Sequence, residues 1–173
     1  MVSNSSPALL TVTGSCTLAT TSATITFDEY VPLQWRSYEE FEAIGAGFVR
    51  LGNFRSTLLE IAVAPQLQVI RGITITTMDS VSPWPDFSVT MVSTGLPCLS
   101  TSFEGWKVVD IEMDFRVSAR PGEIVVYWGE LSSCLAYAFA QSRFLVRNGW
   151  LVGAWFVGLG DEDTRLFLSH ANH

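Results

Sequence analysis

Apolar and polar side chains alternate along much of the chain, as in β-strands that bury one face. The alternation is clearest at 108–117, VVDIEMDFRV, where every second residue from Val109 to Val117 is apolar. The segments predicted to be strands are 23–33, 67–77, 87–93, 106–117, 123–130, 143–146, 150–159 and 164–170. We therefore predict an all-β fold, an antiparallel β-sandwich or barrel of about eight strands with one or two short helices.

Two turn signals join neighbouring strands. Pro121 and Gly122 predict one hairpin turn, and Asn148-Gly149 predicts a second, because both Asn and Gly tolerate positive φ angles.

Two segments predict short helices near the N-terminal end. Residues 36–47 place Ser37 three residues before Glu40, the spacing of a capping box. Residues 54–65 follow Asn53, a favourable N-cap residue, and end at a proline, although the β-branched Ile61 and Val63 leave a strand as the alternative. The alanine-rich segment 131–141 is compatible with a helix or a strand.

The domain organisation is predicted to be simple. Residues 1–22 form a flexible arm rich in serine and threonine, which is mobile or pairs with a neighbouring subunit. Residues 23–173 form a single β-sandwich domain, with no internal sequence repeat.

The composition suggests that the chain associates with copies of itself. Apolar residues make up 48% of the 173 residues and charged residues only 16%, and six tryptophans are present. So much apolar surface is expected to bury against copies of the same chain. Trp84, which lies between two prolines, is the tryptophan predicted to be exposed at an interface. The tryptophans could otherwise serve as core anchors or as a platform for stacking sugars.

The net charge and the sequence motifs argue against several classes of function. The net charge is −7 and Lys107 is the only lysine, which argues against ordinary phosphate binding. The only histidines are His170 and His173, and no nucleophile, nucleotide or zinc motif is present, so no enzyme is predicted. Three widely spaced cysteines favour a reducing, intracellular setting without disulfides. The apolar run at 150–160 is too short to span a bilayer, so no membrane partner is expected.

Two acidic groups are candidate sites. Asp110, Glu112 and Asp114 are predicted to form a ladder that ends at Arg116 on one strand face, with neighbours roughly 7 Å apart. That ladder is interpreted as a solvated face, a set of subunit salt bridges, or a pair of glycosidase-type carboxylates.

The second group is Asp161, Glu162 and Asp163, in a segment flanked by glycine. It is interpreted as a solvated loop or as a loop that holds Ca²⁺ at a subunit contact.

The order of predicted elements resembles the single jelly-roll coat (capsid) proteins of small icosahedral plant and satellite viruses, over roughly residues 23–168. The resemblance rests on ATITFDEYVPL, FRSTLLEIAVAP, LQVIRGITITT, VVDIEMDFRV, EIVVYWGE and WLVGAWFVGL. It implies an antiparallel jelly-roll-like β-sandwich and a virion protein that assembles in the host cytoplasm, in a family where some members bind Ca²⁺ at subunit contacts. Many such coats package RNA with a basic arm; this chain has none and in that respect is similar to the tymovirus type.

Two function classes remain open. The first is a structural subunit that self-assembles into an icosahedral shell, with copies of itself as partners and RNA held without a basic arm. The alternative is a β-sandwich module that binds glycan or protein through its tryptophan-bearing loops.

Overall fold

The structure of the protein is a computed structural model. It describes residues 10–17, 22–37, 45–100 and 108–172. The strands are β1 (Val12–Cys16), β2 (Ala23–Thr26), β3 (Leu33–Ser37), β4 (Gly47–Gly52), β5 (Leu58–Val63), β6 (Ile70–Thr77), β7 (Val89–Thr94), β8 (Leu96–Leu99), β9 (Val108–Glu112), β10 (Arg116–Arg120), β11 (Glu123–Tyr127), β12 (Cys134–Phe139), β13 (Ser142–Arg147) and β14 (Trp150–Val157). Helix α1 (Asp161–Ser169) follows, and a 3-10 turn over His170–Asn172 ends the described chain.

The strands form two large sheets and one small one, so the prediction of an all-β sandwich is confirmed. The first sheet has the order β2-β3-β6-β5-β4-β9, and the second has the order β10-β11-β14-β13-β12-β7. A two-stranded sheet joins β1 to β8. Neighbouring strands are antiparallel, except that β9 lies parallel to β4 and β7 lies parallel to β12.

The two large sheets have the same order and the same directions of strands. Each sheet begins with a hairpin, β2-β3 in the first sheet and β10-β11 in the second. The next three strands, β4–β6 or β12–β14, form a meander whose last strand lies beside the hairpin. A parallel strand, β9 or β7, forms the far edge. The sequence contains no internal repeat, so the two sheets are alike in backbone arrangement and not in sequence. The jelly-roll order is not confirmed, because a jelly roll has eight strands in two Greek keys and the described chain has fourteen strands.

The main core lies between the two sheets. Alternate residues of β3, β4, β5 and β6 face alternate residues of β11, β13 and β14, and most are completely buried. Trp35 of β3 lies at its centre, with its ring edge-to-face against Phe144 at 5.1 Å and Phe139 at 6.4 Å. Aromatic side chains from both halves of the chain therefore hold the sheets together.

The helix predicted at 54–65 is wrong. The segment contains strand β5, in which every second side chain points into the main core: Leu59, Ile61 and Val63. β-branched residues such as Ile61 and Val63 favour the pleated surface of a sheet. Asn53 does cap a local structure, since its Oδ1 accepts hydrogen bonds from the backbone N–H groups of Arg55, Ser56 and Thr57. The capped structure is a turn between β4 and β5.

The other two helical interpretations have different outcomes. Ser37, the expected N-cap of the 36–47 helix, is the last residue of β3, and Gly47 begins β4. Residues 38–44 lie outside the described residues. The ambiguous segment 131–141 contains strand β12, which pairs with β13 and β7.

The predicted C-terminal strand at 164–170 is wrong, because this segment belongs to helix α1. Phe167 is buried and its ring contacts Phe27 edge-to-face at 6.3 Å, so the helix packs on the sandwich beside β2. No helix among the described residues has the length and apolar character needed to cross a membrane.

Part of the predicted arm lies among the described residues. Residues 1–9 and 18–21 lie outside the described residues, whereas β1 pairs with β8 of the same chain. Leu10, just before β1, is buried in the main core. Residues 10–17 are therefore held within the same chain in this structure, and pairing of the arm with a neighbouring subunit stays a prediction.

Both predicted hairpin turns are confirmed. Arg120 pairs with Glu123 across Pro121-Gly122, and Arg147 pairs with Trp150 across Asn148-Gly149. Asn148 has φ 51° and Gly149 has φ 79°, the left-handed values of a type I′ turn.

Replacing Gly149 tests the backbone requirement of this turn. A Cβ at Gly149 or at Gly14 meets no atom within 4 Å, but only Gly149 has a positive φ. Gly149→Ala is expected to lower the free energy of unfolding by about 1 kcal/mol, because an L side chain is strained there. Urea denaturation should show a much smaller change for Gly14→Ala, and equal losses would contradict the turn assignment.

Replacing Trp35 tests the centre of the core. Trp35→Ala is expected to lower the free energy of unfolding by about 3–5 kcal/mol. Trp35→Phe should lower it far less, since it keeps an aromatic ring and removes an indole Nε1 that is buried without a hydrogen-bond partner among the described residues. Urea denaturation measures both, and similar losses for the two variants would contradict this account.

Candidate functional site

The proline-rich segment at residues 82–87 lies over the outer face of the second sheet. The backbone N–H of Ser82 donates to the Val117 carbonyl at 2.7 Å, and the buried Ser118 hydroxyl donates to the Pro83 carbonyl at 3.0 Å. Trp84 and Phe87 of this segment join a second apolar cluster on that face. The second sheet is therefore covered on both sides near β10 and β11.

Trp84 is not the exposed tryptophan that the sequence predicted. Its side chain is half-buried, with Phe87 at 6.1 Å and the Arg120 guanidinium 4.2 Å from the centre of its ring. Much of its surface is thus used within the chain.

Glu123 organises the polar side of this region. Its carboxylate accepts hydrogen bonds at 2.9 Å from Nη2 of Arg120 and from Nε1 of Trp155. The ring of Trp155 in turn meets Phe87 edge-to-face at 5.4 Å. A single carboxylate therefore fixes both the cation above Trp84 and the indole beside Phe87.

These residues surround an open pocket of about 460 Å³. We call it the aromatic pocket; it is lined by Trp84, Pro85, Asp86, Phe87, Val89, Arg120 and Trp155. Ligand sites are typically cavities of this size with aromatic walls and a few polar groups. Chemically, the aromatic pocket offers flat apolar surfaces, one exposed carboxylate at Asp86 and one guanidinium.

The outer face of the first sheet has a different character. One row of aligned residues crosses all six strands and is polar throughout: Thr26, Gln34, Thr74, Glu60, Arg50 and Asp110. The next row is Thr24, Arg36, Gly72, Ala62, Phe48 and Val108, which is apolar toward β9. Described side chains at these positions are half-buried or exposed. We call this surface the first outer face.

One ion pair dominates the first outer face. Arg50 donates to both oxygens of Asp110, from Nε at 2.7 Å and from Nη2 at 2.8 Å. These hydrogen bonds lower the pKa of Asp110 and raise the pKa of Arg50, to which nearby Glu60 adds. The pair is largely exposed, so it contributes little to stability and mainly fixes the orientation of both groups.

The predicted ladder of Asp110, Glu112, Asp114 and Arg116 is not a single strand face. The chain leaves the first sheet after β9 and enters the second sheet at β10, so Asp110 and Glu112 lie in one sheet and Arg116 in the other. Asp114 lies in the connection between the sheets. All four are exposed, and of these four only Asp110 forms an ion pair with another described residue. Their role at an interface stays a prediction.

Asp161, Glu162 and Asp163 do not form a loop. They occupy the first turn of α1, where acidic side chains are favoured by the helix dipole. The carboxylate of Asp163 accepts from the Gly160 N–H, and Glu162 pairs with Arg165. Within the described ranges no group of three or more acidic, cysteine or histidine side chains could hold a metal. Ca²⁺ binding stays a prediction.

Two of the cysteines, Cys98 and Cys134, lie in surroundings that disfavour the thiolate. Burial raises the pKa of the Cys98 thiol and of the Cys134 thiol, which lowers their thiolate fraction near neutral pH. Cys134 also lies within 3.3 Å of the Leu131 carbonyl, which holds the thiol in place.

Sequence reasoning found Trp84 but missed its partners. Phe87, Arg120 and Trp155 are brought together by β10, β11 and β14, and no local pattern indicates that pairing. The available signal was the Pro-Trp-Pro sequence, which predicts a rigid turn that presents an aromatic side chain.

Titration of Asp110 tests the ion pair. Because its folded pKa is lowered, the stabilisation is present above the unfolded pKa and is lost as pH falls through the folded pKa. NMR titration of the Asp110 carboxyl should show this lowered pKa, and Arg50→Gln should raise it toward the ordinary value. Asp28 is the control, since its pKa is lowered by backbone N–H groups of Val31 and Tyr30 and should not respond. An unchanged Asp110 pKa in Arg50→Gln would refute the pair in solution.

No protein-family model matches this chain, and the comparison with curated proteins gives no match. The two surfaces described above, the aromatic pocket and the first outer face, are therefore the basis for assigning a function.

Proposed function

We propose that this chain is a structural protein, a coat subunit that assembles with copies of itself into a closed icosahedral shell. The observation that carries the proposal is the first outer face, a broad six-stranded surface whose described side chains are left partly or fully accessible. A shell subunit needs such a surface, because a stable contact buries about 800 Å² on each partner.

The two outer faces of the sandwich differ in how far their outward side chains are buried. On the second sheet, Val125, Leu145 and Cys134 point outward and are completely buried under the proline-rich segment and its neighbours. On the first sheet, Phe48 and Glu60 point outward and stay half-buried. The first outer face is therefore the more available of the two for a second copy.

The apolar row of the first outer face suits a subunit contact. Ala62 and Phe48 are directly paired in this row, and Val108 at its end is 54% exposed. An apolar centre bordered by charged residues is the usual anatomy of a protein interface. The polar row with Arg50 and Asp110 provides that border.

The charges around β9 would set the orientation of the contact. Glu112, Asp114 and Arg116 are exposed and carry opposite signs at the point where the chain crosses between sheets. Opposite charges on a repeated surface specify one docking direction and exclude others. RNA would be enclosed without a basic arm, and the site of action is the virion and the host cytoplasm during assembly.

Particle formation by surface variants tests the proposal. Val108→Asp is expected to abolish uniform particles in light scattering and negative-stain imaging, because it places a charge in the apolar row. Leu67→Asp is the matched control: Leu67 is 45% exposed in the turn between β5 and β6, and particles should persist. Wild-type protein that stays monomeric at high concentration would overturn the proposal, as would particles that survive Val108→Asp.

A second function has one observation in its favour. A monomeric module that binds glycan or protein through tryptophan-bearing loops would use the aromatic pocket, where Trp84 and Trp155 line the same cavity. The two functions are separated by the size of the purified protein, since only a shell subunit requires assembly.

A further inference from the structure

We propose that the aromatic pocket is a binding site for a neutral saccharide. The site does not overlap the proposed subunit contact, because its residues lie over the second sheet and that contact is centred on the first outer face. It therefore adds an activity to the coat subunit and would also serve a monomer.

The walls of the aromatic pocket suit the carbon skeleton of a sugar. Phe87 lies between two indoles, tilted against Trp84 at 6.1 Å and edge-to-face against Trp155 at 5.4 Å. Nε1 of Trp155 is already committed to Glu123, so this indole offers the pocket only apolar surface. Aromatic faces bury the apolar C–H surface of a ligand while its hydroxyl groups remain free to hydrogen-bond.

The polar groups of the pocket complement hydroxyl groups. Asp86 is exposed and provides two acceptor oxygens. Arg120 uses Nη2 to bind Glu123, and its other N–H groups have no acceptor among the described residues. A sugar hydroxyl both donates and accepts, so adjacent hydroxyls satisfy the carboxylate and the guanidinium together.

The same charges select against charged ligands. Asp86 and Glu123 repel an anion, as does the net charge of −7 on the whole chain. A cation could pair with Asp86 but would leave the remaining N–H groups of Arg120 without an acceptor. A proline-rich peptide also fits aromatic grooves, but its backbone offers acceptors and few donors, which would leave Asp86 unpaired. A neutral saccharide is the ligand class that satisfies every polar group.

The cation above Trp84 keeps the site preorganised. With its guanidinium 4.2 Å above the indole and Nη2 held by Glu123, Arg120 is fixed before any ligand arrives. A ligand then loses less free energy in ordering the site than it would with a freely rotating arginine.

The test uses the full chain on an array of neutral oligosaccharides ending in glucose, galactose, mannose, xylose or N-acetylglucosamine. Sialylated and sulfated glycans and a proline decamer are included on the same surface. Binding to at least one neutral oligosaccharide is expected, followed by titration of the bound sugar with tryptophan fluorescence.

Three variants locate the binding in the pocket. Trp84→Ala and Asp86→Ala are each expected to weaken the affinity about tenfold. Trp150→Ala should leave it unchanged, since Trp150 belongs to the same apolar cluster but does not line the pocket. Asp86 is exposed, so Asp86→Ala keeps the test valid if Trp84→Ala fails to fold.

Three outcomes would overturn the proposal: no binding to any neutral oligosaccharide at millimolar concentration, binding only to the charged glycans or the proline decamer, and an affinity that Asp86→Ala leaves unchanged. Val108→Asp distinguishes this proposal from the coat function, because it should lose particles and keep saccharide binding.

Discussion

The burial of one face of each sheet against the other is the constraint on which the rest of the molecule depends. Trp35 from the first half of the chain contacts Phe139 and Phe144 from the second half, so the core forms only when both sheets are in place. Each inward residue that this core requires leaves its neighbours in the strand facing outward. The properties of both outer faces are therefore set by the residues that alternate with the core.

The two halves use their outward residues differently, although their strands have the same order. The second sheet carries Val125, Leu145 and Val152 outward and needs a cover, which the segment with Trp84 and Phe87 helps to supply. The first sheet carries charged and small residues outward and can remain in water. The aromatic pocket lies where the cover meets the second sheet, and the surface proposed for subunit contacts is centred on the first.

The sequence predicted the class of fold and both tight hairpins, because alternation and turn chemistry are local properties. It failed where a local signal had two structural meanings. Asn53 caps a turn as readily as it caps a helix, and the segment after it became a strand because Leu59, Ile61 and Val63 match the core. The acidic residues at 161–163 stabilise the first turn of a helix, where the sequence suggested a loop.

The candidate sites were harder to predict because they depend on strand pairing over long distances in the sequence. The alternation at 108–117 continues without a break across the point where the chain changes sheets, so it gave one strand where there are two. Trp84 was identified from its flanking prolines, but its contact with Arg120 follows from the hydrogen bonds of Ser82 and Ser118. Such contacts have no local sequence pattern.

The exchange of parallel strands between the sheets links the two halves mechanically. Strand β7 leaves the first half to complete the second sheet beside β12, and β9 precedes the second half but completes the first sheet beside β4. A cut anywhere between β8 and β9 would give two fragments, each holding a strand that the other needs. Each half therefore needs a strand from the other half to complete its sheet, and neither half is a self-contained unit.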